Sequence, residues 1–237
     1  GRDGNRSGAC MTNLLVALAA FLVLHSVPAI APVRAGAIAL LGRRTYLGVY
    51  SLVSVLVLAW VFQAALTTDY IPLWEPAGWQ AHVTLLAAPI GLFLVVAGLL
   101  SANPLSISLR QETTPGAVTT ITRHPVLWGF LLWSLGHLVP NGDLRSLILF
   151  GGLGLFTVSG FAVLDRRARK RLAGRWDRMA HASPLLPFAA ILAGRTRLRI
   201  DTPLVVAAGL TALLTAWLLL GGHAALFGAD PLLATTF

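Results

Sequence analysis

Six apolar runs, at 12–31, 46–66, 82–101, 125–141, 144–164 and 203–227, decide what this chain can fold into. A helix needs about 20 apolar residues to cross about 30 Å of hydrocarbon, and each run is near that length, with 125–141 at the short limit. Inside a bilayer the backbone must satisfy its own hydrogen bonds, which favours helices for such runs. Only 11% of residues are charged, against about 25% in a soluble domain. The expectation is an all-α integral membrane protein, a bundle of about six transmembrane helices. Residues 1–10 are polar and unlike the apolar run after them, so they read as an over-extended or non-native start, with a single membrane domain over 11–237. The first apolar run lacks the basic start and cleavage site of a signal peptide and reads as a retained span.

A net charge of +9 raises nucleic acid as a partner, but the distribution of charge argues for a membrane. On the two sides that six spans define, Lys and Arg divide 15 to 3. One side holds Arg34, Arg43, Arg44, Arg110, Arg123, the cluster from Arg166 to Arg178, and Arg195, Arg197 and Arg199. The other holds Arg145, Arg2 and Arg6. The positive-inside rule then makes 32–45, 102–124 and 165–202 cytoplasmic loops and both termini periplasmic in a multi-pass protein. The partner is the lipid bilayer, with the 166–178 cluster at its headgroups, and no nucleic acid. A lone cysteine, Cys10, excludes a disulfide framework and a cysteine metal site.

Along the chain, Pro28 and Pro32 predict a stop or kink at the end of the first span. Arg34–Arg44 reads as a loop. Tyr50, Ser51 and Ser54 lie at helical spacing on the second span. Trp74 and Trp79 suit an interfacial aromatic belt. Gly91 and Gly98, and likewise Gly129 and Gly136, are seven apart, so each pair lines one helix face and permits close approach. Residues 101–124 form a long loop broken by Asn103-Pro104 and Pro115-Gly116. Asp165–Met179 reads as a charged surface helix, and Pro184–Ala193 as an apolar piece too short to span.

Candidate functional residues emerge from the cost of ionisable groups in hydrocarbon. His82, His181 and His223 lie near span ends or in a loop. His25 and His137 each lie about a dozen residues into a span, roughly 18–20 Å from its starting face. Two neutral imidazoles at similar depth suit axial ligation of haem between facing helices; they equally suit hydrogen bonds that bridge helices. His124 is 13 residues from His137, about 20 Å along the helix, too far to share one ligand. Arg123 and His124, before Pro125, stand at a helix start where free N–H groups favour an anion. The alternative is that Arg123 anchors the helix at the headgroups while His124-Pro125 shapes its first turn.

The segments Leu24-His25-Ser26-Val27-Pro28, Arg34-Ala35 and Leu41-Gly42-Arg43-Arg44-Thr45-Tyr46-Leu47-Gly48, then Asn103-Pro104, Thr122-Arg123-His124-Pro125-Val126-Leu127-Trp128-Gly129 through Trp133, Ser134 and His137-Leu138, Asn141-Gly142-Asp143 and Asp165-Arg166-Arg167, resemble the NnrU family. The resemblance covers nearly all of 14–200. It implies a bacterial inner-membrane protein associated with nitrite and nitric oxide reduction, that is, denitrification. It also implies kinship with 15-cis-ζ-carotene isomerases, whose haem b ligands match His25 and His137. Those isomerases carry a ligand-switching cysteine three residues before the second histidine. Ser134 stands there in this chain, which removes that thiol and leaves bis-histidine ligation untouched. The first reading is thus a haem b protein, with iron on His25 and His137 and with a redox or nitric oxide-metabolism partner. Such a protein would sense or transfer electrons in nitric oxide metabolism, or else carry a haem-dependent, isomerase-like activity, the redox-gated isomerisation of a lipid-soluble molecule. Arg123-His124-Pro125 and Gly129 also resemble isoprenylcysteine methyltransferases, which makes a membrane methyltransferase using S-adenosylmethionine the alternative. A non-catalytic partner of a respiratory complex is the third.

Overall fold

A computed structural model describes residues 2–27 and 30–236. Helices are α1 (Arg2–Ser26), α2 (Ala31–Leu41), α3 (Arg43–Thr67), α4 (Gly78–Leu100) and α5 (Pro125–Leu138). After them α6 (Leu144–Ser146) runs through a π-turn at Leu147–Gly151 into α7 (Gly152–Leu172). The shorter α8 (Trp176–Ala182) and α9 (Ala189–Leu192) come next. Then α10 (Thr202–Trp217) passes through a second π-turn, Leu218–Gly222, into α11 (His223–Phe227). Among the described residues there is no strand, only an isolated bridge between Pro72 and Asp143.

Five helical stretches are long and apolar enough to cross a membrane: Gly8–Ser26, Arg43–Thr67, Gly78–Leu100, Leu144–Ala182 and Thr202–Phe227. The protein is an all-α, multi-pass membrane protein. The expected span at 125–141 is the one that falls short. Helix α5 has 14 residues, about 21 Å of rise. It ends at Leu138, just before Pro140 and the Asn141-Gly142 pair, which do not continue a helix. The expected loop at Arg34–Arg44 is also different, because most of it is α2. Pro32 in its first turn is suited to a helix start, and Gly42, at φ 76°, closes it. The expected stop at the end of the first span agrees, since α1 ends at Ser26; Pro28 lies outside the described residues.

The chain divides into two compact units. The first takes residues up to 75 together with 142–152. There α1 and α3 run antiparallel, tied by Trp60 Nε1 donating to Asn13 Oδ1 (3.2 Å) and Thr68 Oγ1 donating to the Cys10 carbonyl (3.2 Å). Trp74 packs on Gly142, where its ring leaves no room for a Cβ.

The second unit takes 76–141 and 153 onward. Its spine is the antiparallel pair α4 and α5, and one glycine of each sequence pair, Gly91 and Gly129, meet across it. A Cβ on Gly91 would lie 2.6 Å from the Gly129 carbonyl oxygen, and one on Gly129 would strike the Gly91 carbonyl oxygen. Gly98 meets Pro125 and Val126, and Gly136 meets Ala87. Thr84 Oγ1 donates to the Gly136 carbonyl at 2.6 Å. Backbone thus touches backbone, the arrangement by which helices associate in lipid without a hydrophobic drive between them. Ala207 of α10 and Ala97 of α4 form one buried cluster with Val118 of the loop after α4, with Phe93, Val96 and Leu204 around them.

Candidate functional site

At the end of the second unit where α4 stops and α5 begins, Arg123 and His124 meet an anion, and it is the protein's own. Arg123 donates through Nε to Asp165 Oδ1 (2.8 Å) and through Nη2 to Oδ2 (2.5 Å). His124 Nε2 lies 2.7 Å from Asp165 Oδ1, and its Nδ1 lies 2.7 Å from Ser106 Oγ. A carboxylate only accepts, so Nε2 carries a proton and donates. His124 is fully buried, with Phe161 edge-on at 5.6 Å. Burial pushes its imidazole below the usual 6.5, opposed by the hydrogen bond and charge of Asp165.

The loop after α8 closes the cluster. The Arg123 backbone N–H donates to the Pro184 carbonyl (2.8 Å), while Thr122 Oγ1 and Trp128 Nε1 both donate to the Leu185 carbonyl (2.9 Å each). Arg123 lies over the Trp176 ring at 5.6 Å and Arg169 lies over it at 5.2 Å. Trp176 is buried with Leu105, Ala168 and Leu172. The Arg-His pair therefore docks α7 and α8 onto the loop between α4 and α5. Its polar atoms are engaged within the protein, by Asp165, by the Ser183 carbonyl and, at His124 Nδ1, by Ser106.

The second constellation sits at the far end of α5. His137 is in the last turn of its helix, not deep within it as the apolar run predicts. Its neighbour Gly136 nevertheless packs at the level of Thr84 to Ala88 of α4, six to ten residues, or roughly 9–15 Å, inside that helix's start. The His137 Nδ1 lies 2.8 Å from the Trp133 carbonyl, and the Trp133 ring is 4.8 Å away. His223 stands beside it, ring centres 6.3 Å apart and planes 19° from parallel. The other expected residues are structural in their contacts. Pro125 is the first residue of α5 and packs on Gly98, Gly129 makes the backbone contact with Gly91, and buried Ser134 faces Gly154.

His25 belongs to the first unit. It is half-buried near the end of α1, its Nδ1 2.8 Å from the Phe21 carbonyl. Phe21 stacks on it at 4.1 Å and Tyr50 of α3 stands edge-on at 6.0 Å. Sequence reasoning missed two participants, Ser106 and His223. Ser106 carries no signal, being one serine in a loop. His223 does: it comes directly after Gly221-Gly222, a doublet that breaks an apolar helix.

Among the described residues no group of three or more histidine, cysteine, aspartate or glutamate side chains could hold a bare metal ion. A macrocycle that brings its own equatorial ligands needs only two from the protein. Taken one at a time, His25 and His137 each have the form of such a ligand. A carbonyl oxygen at Nδ1 fixes the proton there in both His25 and His137, and leaves the Nε2 lone pair as the donor, the way ligating histidines are oriented by their surroundings.

Comparison with known proteins gives two matches. A family model described as NnrU protein matches residues 13–231. The chloroplastic 15-cis-zeta-carotene isomerase of Zea mays is 31% identical over 86 residues, covering 35% of this chain and 23% of the maize protein. The chain thus matches less than a quarter of that relative's length. No solved structure matches.

Proposed function

The chain belongs to the NnrU family, and from that premise we propose that it binds haem b in the bacterial inner membrane through His25 and His137. The observation that carries the reading is local to each ring: each lies on an apolar helix with Nδ1 held by the carbonyl four residues earlier, as His82 also does near the start of α4, and each is packed among aromatic rings. Both therefore present Nε2 lone pairs in a lipid-facing protein where an ionisable side chain is costly to keep. Bound there, haem b would supply a one-electron centre within the apolar layer. What the chain itself does is hold each ring in one tautomer, and flank His25 with Phe21 and Tyr50 and His137 with Trp133. In cells this centre serves nitrite and nitric oxide metabolism, or gates the isomerisation of a lipid-soluble molecule as the maize relative's name suggests. The methyltransferase reading has less support, because the Arg123 and His124 donors that would face an anionic ligand are engaged by Asp165.

The test is the visible spectrum of the purified protein before and after dithionite. A Soret band that shifts on reduction, and that His137→Ala weakens while the protein stays in the membrane, is expected. A colourless protein that binds S-adenosylmethionine would overturn the reading in favour of the methyltransferase.

A further inference from the structure

Of the four histidines that haem ligation by His25 and His137 leaves unused, His223 is the one whose ring lies beside His137. Its Nδ1 lies 2.7 Å from the Ala229 carbonyl, so it carries its proton there and presents an Nε2 lone pair, as His137 does. With about 2.0 Å from each ring nitrogen to a metal and about 1.1 Å from that nitrogen to its ring centre, two imidazoles on opposite sides of one ion stand about 6.2 Å apart. The His137 and His223 ring centres are 6.3 Å apart. Ring packing alone covers the same range, so spacing does not decide the matter by itself.

The backbone supplies the second observation. Helix α10 does not run straight into α11. Leu220 (φ −83°, ψ 15°) and Gly221 (φ 119°, ψ −12°) leave helical geometry within the π-turn, immediately before His223. Only glycine adopts the Gly221 conformation readily. Gly222 admits no side chain, since a Cβ there would lie 2.7 Å from the Trp217 ring. Such breaks are frequent at functional sites, and this one sets the first side chain after it beside His137. Trp133 and Phe227 flank the two imidazoles, the latter 5.0 Å from His223, and give the pair flat walls.

We infer that His223 is a second axial ligand for the coordination position opposite His137, so that one haem iron is held as His137 with His25 or as His137 with His223. This rests on the proposal that the protein binds haem. The experiment compares absorption and electron paramagnetic resonance spectra of the full chain and its His25→Ala, His223→Ala and His25→Ala/His223→Ala variants. Each single variant keeps a six-coordinate low-spin signal, because the other histidine fills the position. The double variant loses it and becomes high-spin, and added imidazole restores the low-spin signal, which shows that fold and haem are retained. Loss of the low-spin signal in His25→Ala alone overturns the inference and leaves the haem reading standing. So does a double variant that stays low-spin, or one that imidazole does not restore. A wild-type protein without haem sinks both.

Discussion

Asp165 takes two hydrogen bonds from Arg123 and one from His124, with its side chain only 20% exposed. Removing one partner of a buried charged set strands the others. Asp165→Asn is therefore expected to lower stability in detergent by on the order of 3 kcal/mol. Glu112→Gln breaks the Arg110 pair, whose side chains are more than half exposed, and should cost less than about 1 kcal/mol. Equal losses in thermal melts would show that the cluster does not hold the loop. The same cluster sets a pH dependence. His124 is held below its ordinary 6.5 by burial, so the unfolded chain takes up a proton before the folded one does. The stability it contributes is complete above pH 6.5 and declines as pH falls from there through the folded value. Melting temperature should drop over that acidic window, and His124→Gln should flatten the drop. An unchanged slope in the variant would place the titration elsewhere. The sequence made Arg123 and His124 visible as a helix start, and it made an anion their natural partner. That the anion is Asp165, 42 residues on, is a tertiary fact that no local pattern carries, and Ser106 is hidden for the same reason.

Helix α4 and helix α5 meet through glycine, and the seven-residue spacing of each glycine pair makes that face legible from the sequence alone. The pairing is a matter of geometry that lipid does not blur: glycine lets backbone meet backbone at Gly91 and Gly129, and admits Pro125, Val126 and Ala87 closely at Gly98 and Gly136. The end of α5 is not legible in the same way. Hydropathy runs on through Val139 and Pro140, so an apolar count extends α5 to 141, whereas the backbone stops the helix at Leu138. His137 consequently lies in the last turn rather than mid-helix, beside a histidine of α11 that an apolar count puts near a span end. The packing predicts a contrast between two small changes. Gly129→Ala would push a methyl group into the Gly91 carbonyl and to 2.9 Å from the Val95 nitrogen, and backbone cannot rotate away as a side chain can. A loss of about 1–3 kcal/mol is expected. Gly154→Ala places its methyl 3.7 Å from Ser134 Cβ, an ordinary contact, and should be neutral or slightly stabilising through helix propensity. Thermal unfolding of the two variants in the same detergent separates them. If Gly154→Ala is as damaging as Gly129→Ala, close backbone approach is not what holds α4 to α5.

Across the whole chain, the six-span reading divides Lys and Arg 15 to 3, and this division is what the positive-inside rule converts into an expected direction in the membrane. Basic residues resist transfer across the membrane, and their excess in short loops marks the cytoplasmic side. The count depends on which helices cross. Helix α5 is shorter than a full span, yet the chain after it returns to the Asn141-Gly142 turn and then enters the long apolar stretch from Leu144. If α5 together with that turn still carries the chain across, 102–124 and 165–202 share the cytoplasmic side, as the charge pattern requires. If α5 dips in and returns, the two segments fall on opposite sides, and a cluster that joins Arg123 to Asp165 could not form. The ion pair and the charge count thus make the same demand on topology. Single cysteines placed at the exposed residues Gln111 and Arg178, with Cys10 replaced by serine, should resist a membrane-impermeant maleimide in intact cells and react once the membrane is opened. A cysteine at exposed Asp69 should react in intact cells. Labelling of Gln111→Cys and Arg178→Cys on opposite sides would contradict both the positive-inside assignment and the Arg123–Asp165 contact at once.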